Sequence, residues 1–243
     1  MNSIIFVIGP CWKNLNTLLE TIRINKTMVP NIKKIYIPTN DRTVETHFKE
    51  NPQEGVMCKY VFKNINHQIS CFNCVVSAMH MILEHEMDDA SDDIVIFSHE
   101  DCYVKNMDLF NNAIKKIEDE KYEIVCREFD APSCRGHYDK YFMCDTFFIR
   151  KSAIAKCFEN VKLLNNLYHF GDVPPNVKSY HKKNKQFCEA HFTRAIQGSK
   201  IYSILYGGSP LNRKIAMSNG NKLDTHGTWK NTELGFYHIP GRI

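Results

Sequence analysis

Short runs of β-branched and aromatic residues alternate along the chain with stretches in which apolar residues recur every three or four positions. Ile4 to Ile8 is an unbroken apolar run closed by Gly9 and Pro10, the pattern of a strand covered on both faces. Leu15, Leu18, Leu19 and Ile22 then fall at helical spacing. A second strand is predicted over Lys34 to Pro38 and a third over Met57 to Phe62. Cys71, Val75, Ala78, Met79, Ile82 and Leu83 trace the apolar face of a long helix over Ser70 to Glu86. Ile94 to Phe97 reads as a buried strand, and Asp108 to Lys121 as an amphipathic helix with Phe110, Ile114 and Ile117 inward. Strands over Tyr122 to Arg127 and Phe142 to Ile149 flank a loop over Phe129 to Tyr141, and a helix runs from Arg150 through Phe158. Residues 163–185 have no period and read as loop, Gln186 to Gln197 as helix, Ile201 to Tyr206 as strand, and everything beyond Gly207 as loop. Strand, helix, strand in this order implies right-handed parallel crossovers. The expectation is one α/β domain with a mixed, mostly parallel central sheet flanked by helices.

Composition narrows this only slightly. The chain has 243 residues, 43% hydrophobic and 24% charged, the profile of an ordinary globular protein. A net charge of +4 without a long Lys/Arg run permits an anionic substrate and does not call for nucleic acid. No run reaches the ~18–20 apolar residues needed to cross a bilayer. Ten cysteines lie scattered through predicted elements with no secretory signal before them, so free thiols and a cytoplasmic location are expected. Cys71 and Cys74 have metal or redox spacing, but no second pair completes a site, and core packing is the expected role. Asp88 to Asp93 is an acidic loop without the glycine and closing glutamate of a calcium loop.

Candidate chemistry begins where the strand over Ile94 to Phe97 stops. Ser98, His99, Glu100 and Asp101 follow at once, at a place where α/β sheets collect ligands. Carboxylates at the end of a buried strand are costly unless something positive meets them. Asp101, with Glu100 or His99, is therefore a candidate holder of a divalent cation that in turn holds a diphosphate. The competing reading is a solvated acidic loop.

In order and spacing these residues resemble a GT-A-type glycosyltransferase, a Rossmann-like fold that uses nucleotide sugars. The strand ending in Thr39, Asn40 and Asp41 and the acidic triplet His99, Glu100 and Asp101 stand where that family has its base-binding strand end and its Asp-X-Asp motif. Gly136 to Ser152 resembles the acceptor-side segment. Phe187, Cys188 and Glu189 resemble the later acidic motif, with Ala190 where an Asp is usual and His99 where the first Asp of the triplet is usual.

The resemblance implies a nucleotide-binding half over 1–104 and an acceptor-binding half over 105–243. It implies Mn²⁺ or Mg²⁺ on Asp101 with His226 or His238 completing the shell, and donor contacts from Pro10, Trp12, Asn40, Asp41, His99 and Glu100. Trp12 filling the core is the alternative for that residue. Glu189 becomes the candidate base, with a helix-capping acid as its bland counterpart. Lys13, Arg150 and Arg213 are candidate assisting cations, and Asp145 is either an acceptor contact or a satisfied acid in the sheet. The implied partners are a nucleoside diphosphate sugar and a glycan, protein or small-molecule acceptor. The rival functions are a metal-dependent phosphoester hydrolase or nucleotidyltransferase, and a nucleotide-sugar-binding module without catalysis.

Overall fold

The computed structural model describes residues 3–9, 15–61, 67–86, 88, 91–130, 140–163, 188–205 and 234–238. In chain order the strands are β1 (Ile4–Ile8), β2 (Ile32–Thr39), β3 (Val56–Tyr60), β4 (Ile94–Ser98), β5 (Cys102–Val104), β6 (Ile124–Asp130), β7 (Lys140–Arg150), β8 (Ile201–Leu205) and β9 (Phe236–His238). The helices are α1 (Leu15–Met28), α2 (Arg42–Glu50), α3 (His67–His85), α4 (Met107–Glu118), α5 (Lys151–Leu163) and α6 (Cys188–Ala195).

Seven strands form one sheet in the order β3-β2-β1-β4-β7-β6-β8. β7 runs antiparallel to both β4 and β6, and the other pairings are parallel. Six strands therefore point one way and β7 alone opposes them, which is the mixed, mostly parallel α/β arrangement that the alternation of periods implies. Helices cover both faces. Ile5, Val7, Val95 and Phe97 pack with α3, α5 and α6, while Ile4, Phe6, Ile8, Ile94 and Ile96 pack with α1, α2 and α4. This explains why β1 and β4 read as unbroken apolar runs: each face has its own helical layer, so neither set of alternate residues is left for water. α3 is buried nearly all round, between the sheet and α5 and α6.

Several boundaries differ from the expected ones. α2 falls in a segment with no helical prediction. It is a polar helix that buries only Val44 and Phe48, four residues apart, and it starts at the N-cap Asp41. β9 lies in a stretch read as loop, and β5 in one with no strand prediction. Three residues each, they form a separate antiparallel pair with Cys102 opposite His238. Strands this short carry too little alternation to be seen in sequence. The remaining shifts are end effects: β7 begins at Lys140, α5 runs on to Leu163 and α6 starts at Cys188.

The acidic loop before β4 is a structural pin at the edge of the sheet where the parallel strands begin. Asp92 pairs with Arg150 at 2.9 Å, and Asp93 accepts from Ser3 and Ser91 and meets Lys33 at 3.2 Å and Lys151 at 3.7 Å. Glu86 joins through Lys34 at 2.7 Å and Tyr36. Arg150 is thus held at the edge opposite the carboxyl ends of the parallel strands. It cannot assist chemistry there. Among the described residues, no helix is long and apolar enough to cross a membrane.

Candidate active site

β1 has β2 on one side and β4 on the other, so the chain leaves β1 in one direction and returns through α3 on the opposite face. Such a reversal opens a crevice at the carboxyl ends of the strands. At that edge Gly9 N donates to Ser98 O at 3.0 Å, tying the ends of β1 and β4 together. A Cβ at Gly9 would stand 2.9 Å from Cys74 Sγ and 3.1 Å from Pro38 O, so only glycine lets β1, β2 and α3 approach this closely.

β4 ends in a turn closed by Cys102 N donating to His99 O at 3.1 Å. The turn is gripped from α1. Thr21 Oγ1 donates to Glu100 O at 2.6 Å, Asn25 Nδ2 donates to Cys102 O at 3.3 Å, and Val104 N donates to Asn25 Oδ1 at 2.9 Å. Thr17, Thr21 and Asn25 are all buried and spaced four apart, so one polar row on α1 faces inward beside Leu18 and Ile22. These positioning residues went unnoticed in sequence. The signal was three short polar side chains recurring at helical spacing on an otherwise apolar face.

The turn presents Glu100 and Asp101, 2% and 5% exposed, with His99 partly exposed. Cys102 Sγ contacts Asp101 Oδ1 at 3.8 Å. Beside them β7 departs from regular pairing. From Cys126 opposite Phe147 to Glu128 opposite Phe142, the register advances two residues on β6 and five on β7. Asp145 sits in that bulge, a device that commonly re-aims a side chain near a site. Asp145 is buried and ion-paired with the fully buried Arg127, and it also accepts from Thr146 N at 2.8 Å. Asp145 is thus the satisfied acid of the two readings open to it.

Glu189 lies in the first turn of α6. Cys188 Sγ donates to its Oε2 at 3.2 Å, and Thr193 Oγ1, which accepts from Phe142 N at 2.9 Å, donates to Glu189 O at 2.7 Å. Burial raises the Glu189 carboxyl above its ordinary range, and the charge of Asp145 pushes the same way. The Cys71 thiol, raised chiefly by burial, feels Glu100, Glu189 and Asp145. The sealed Cys102 thiol, raised by the same cause, feels Asp101, Asp145, Glu100 and Arg127. Glu100, Asp145 and Glu189 therefore lie within electrostatic reach of Cys71, and Asp101, Asp145 and Glu100 within reach of Cys102, with Asp145 paired to the Arg127 guanidinium. A buried acid-rich neighbourhood of this kind favours a bound cation or a retained proton.

Asn40 stands at the end of β2 with its Oδ1 buried and without a hydrogen-bond partner. Asp41 caps α2, accepting from Thr43 N at 2.8 Å and from Thr43 Oγ1 at 2.7 Å. The backbone of His238 lies opposite Cys102, one residue beyond Asp101. Pro10, Trp12, His226, Lys13 and Arg213 lie outside the described residues, as does the side chain of His238. Among the described residues, no group of three or more His, Cys, Asp or Glu side chains is assembled to hold a metal ion.

No family model matches the chain, and no curated protein matches it. Solved structures do. The galactosyltransferase LgtC, in complex with donor and acceptor sugar analogues, superposes with a TM-score of 0.51 at 11% identity, over 98% of this chain and 87% of that one. The 4-diphosphocytidyl-2C-methyl-D-erythritol synthase of Anaerococcus prevotii gives 0.47 at 11% identity over 84% and 89%. A CMP:2-keto-3-deoxy-manno-octonic acid synthetase complexed with CTP gives 0.44 at 10% over 92% and 100%. At these identities the likeness is one of fold: an α/β domain of the Rossmann or GT-A kind.

Proposed function

We propose that the chain is a glycosyltransferase that moves a sugar from a nucleoside diphosphate sugar to an acceptor hydroxyl, in one step with inversion. The observation that carries this reading is a partly buried carboxyl raised by its surroundings, Glu189, which lies with Glu100 of the buried turn within electrostatic reach of Cys71 at the carboxyl-terminal edge of the sheet. An acceptor hydroxyl must lose its proton as it attacks, and a carboxylate of raised pKa is a better base than an ordinary one. Glu189 takes that proton. Residues 1–104 hold the donor and residues 105–243 the acceptor, within one domain. Asn40 Oδ1 is a buried acceptor awaiting a donor, which suits an N–H or O–H of the nucleoside; Asp41, Pro10 and Trp12 are the further donor contacts in this reading.

Mn²⁺ or Mg²⁺ suits the oxygen donors of Glu100 and Asp101. Asp101 would hold it, with His99 or Glu100 and then His238 or His226, and diphosphate oxygens filling the remaining positions. When bound, the ion supplies neutralisation of the charge that builds on the departing diphosphate. The chain's own residues orient the turn that carries these ligands: Thr21 and Asn25 fix its backbone from α1.

The test is a panel of nucleotide sugars incubated with the chain and Mn²⁺, with release of nucleoside diphosphate as readout. Metal-dependent turnover of a sugar donor that Asp101→Asn abolishes is the expected result. Turnover of nucleoside triphosphates or phosphoesters in its place, with sugar donors inert, would refute the proposal.

A further inference from the structure

Among the described residues, three buried side-chain oxygens without a hydrogen-bond partner stand along the carboxyl-terminal edge of the sheet: Asn40 Oδ1, Ser98 Oγ and Thr146 Oγ1. A fourth, Ser77 Oγ, lies on α3. Ser98 closes β4, and its carbonyl takes the 3.0 Å hydrogen bond from Gly9 N that ties β4 to β1 at the crevice. β4 pairs antiparallel with β7 up to Phe97 opposite Phe147, so the next rung sets Ser98 beside Thr146. Ile96 and Phe148, two residues away on each strand, pack toward α1 and α4, and alternation points Ser98 and Thr146 to that face as well. Side chains opposed in this way have Cβ atoms about 4.5–5.5 Å apart.

A buried hydroxyl without a partner costs stability. Ser98 and Thr146 are 2% and 0% exposed, and alanine and valine would fill the same places without that cost. Two such groups on one rung, at the edge where α/β sheets collect ligands, call for a functional account. Arg127 and Asp145, the charged groups next along the sheet, are paired with each other. The rung therefore offers two neutral groups that each donate and accept, which suits neighbouring hydroxyls of an uncharged sugar ring. The strand order β2-β1-β4-β7 puts it three strand spacings from the end of β2 and Asn40, roughly 14 Å. The nucleoside and the hexose of an extended nucleoside diphosphate sugar span a separation of that order. The diphosphate between them then lies over β1 and β4, where the Glu100–Asp101 turn begins.

We propose that Ser98 and Thr146 form the donor-sugar subsite, their hydroxyls hydrogen-bonded to two adjacent hydroxyls of a neutral hexose. This role rests on the transferase function proposed above, and it adds the class of sugar and the residues that select it. A χ1 rotation turns either hydroxyl along its strand toward the crevice, where the ring enters. Each hydrogen bond made there satisfies a group left unpaired in the free chain. Selection follows from the same cause. A sugar lacking one of the two hydroxyls leaves a buried group unpaired, and one carrying a carboxylate brings a charge that the rung does not meet.

The experiment follows thermal melting and calorimetric titration of the full chain in Mn²⁺. The probes are UDP-glucose, UDP-galactose and GDP-mannose, bare UDP and GDP, and UDP-glucuronic acid as the charged sugar. The parent is expected to bind at least one neutral-hexose donor and to bind UDP-glucuronic acid more weakly. Ser98→Ala and Thr146→Val should melt at or above the parent temperature and bind the bare diphosphate as the parent does. Each should bind the sugar donor about tenfold more weakly, the loss of one hydrogen bond. Thr146→Ser keeps the hydroxyl and should keep the parent's affinity for the donor. A lower melting temperature in either hydroxyl-free variant makes its hydroxyl structural and overturns the proposal. So do variants that keep the parent's donor affinity, variants that lose donor and bare diphosphate alike, and a parent that prefers UDP-glucuronic acid. In each of those cases the parent still binds a donor, and the transferase reading stands. A parent that none of these nucleotides binds ends both.

Discussion

Glu189→Gln separates a base from a structural acid, and its effects follow from the surroundings of that one carboxyl. Glutamine keeps the side-chain length and an oxygen that can still accept from Cys188 Sγ, now 3.2 Å from Oε2. It loses only the ability to take a proton. Removing a general base costs ~10²–10⁴-fold in rate, or about 3–5 kcal/mol of transition-state stabilisation. The loss should appear in kcat, with donor affinity near the parent value, because the role proposed for Glu189 is toward the acceptor hydroxyl and not the diphosphate.

Stability should move the other way. Burial lifts the folded-state pKa of Glu189 above that of the unfolded chain, about 4.3. Between those two values the folded chain binds more protons, so this group's contribution to stability falls as pH rises through them. Glutamine carries no such penalty, and its melting temperature at neutral pH should equal or exceed the parent's. The parent's kcat/KM should also rise with pH along a limb centred above the ordinary carboxylate range, and the variant should lack that limb. Nucleoside diphosphate release across pH, calorimetric donor binding and a thermal melt supply the three readouts. Near-parent turnover, or lost turnover with a large drop in melting temperature, would refute the reasoning.

Other perturbations test the frame. Asp101→Asn should weaken Mn²⁺-dependent donor binding at least tenfold with little change in melting temperature, checked by titration with and without chelator. Asp93→Asn removes the carboxylate that meets Lys33 and the buried Lys151, and should cost about 3 kcal/mol, or ~6–12 °C in a thermal melt. Burial alone would raise the Asp93 carboxyl, but Ser3, Ser91 and Lys33 outweigh it and hold it low. Its contribution is therefore present above the unfolded pKa of about 3.9 and is lost as pH falls through the folded one, so the variant's acid unfolding should be shallower. Gly235→Ala puts a methyl 2.4 Å from Asn106 O and 2.8 Å from Phe110 N at a φ of +87°. β9 should detach, which hydrogen exchange at Phe236 to His238 would register as lost protection.

The sheet was legible because its strands are covered on both faces, so Ile4–Ile8 and Ile94–Phe97 stood out as apolar runs and the intervening helices by their period. α2 was not, because a nine-residue helix with only two buried apolar side chains is too short and too polar to stand out. The acids after β4 were conspicuous by contrast with the strand before them. What holds them was not: Thr21 and Asn25 act through backbone atoms of a turn 77 to 79 residues away, and Arg127 finds Asp145 only because β7 bulges. The candidate base was found by its place at a helix start, but its raised pKa comes from burial, which is a property of the assembled layers.

The short β5–β9 ribbon sets an order of events in folding. Lys105 N and Asn106 N both donate to Gly235 O, at 2.9 and 3.0 Å, and His238 pairs with Cys102 at a sequence separation of 136. Closing so wide a loop for three residue pairs returns little until the sheet behind it exists. The parallel core around β1 and β4 should therefore form first and the ribbon last, leaving a compact chain whose acidic turn lacks its final neighbour. Refolding followed at the core aromatics and at Tyr237 should give two phases, and any gain of metal or donor affinity should track the slower one.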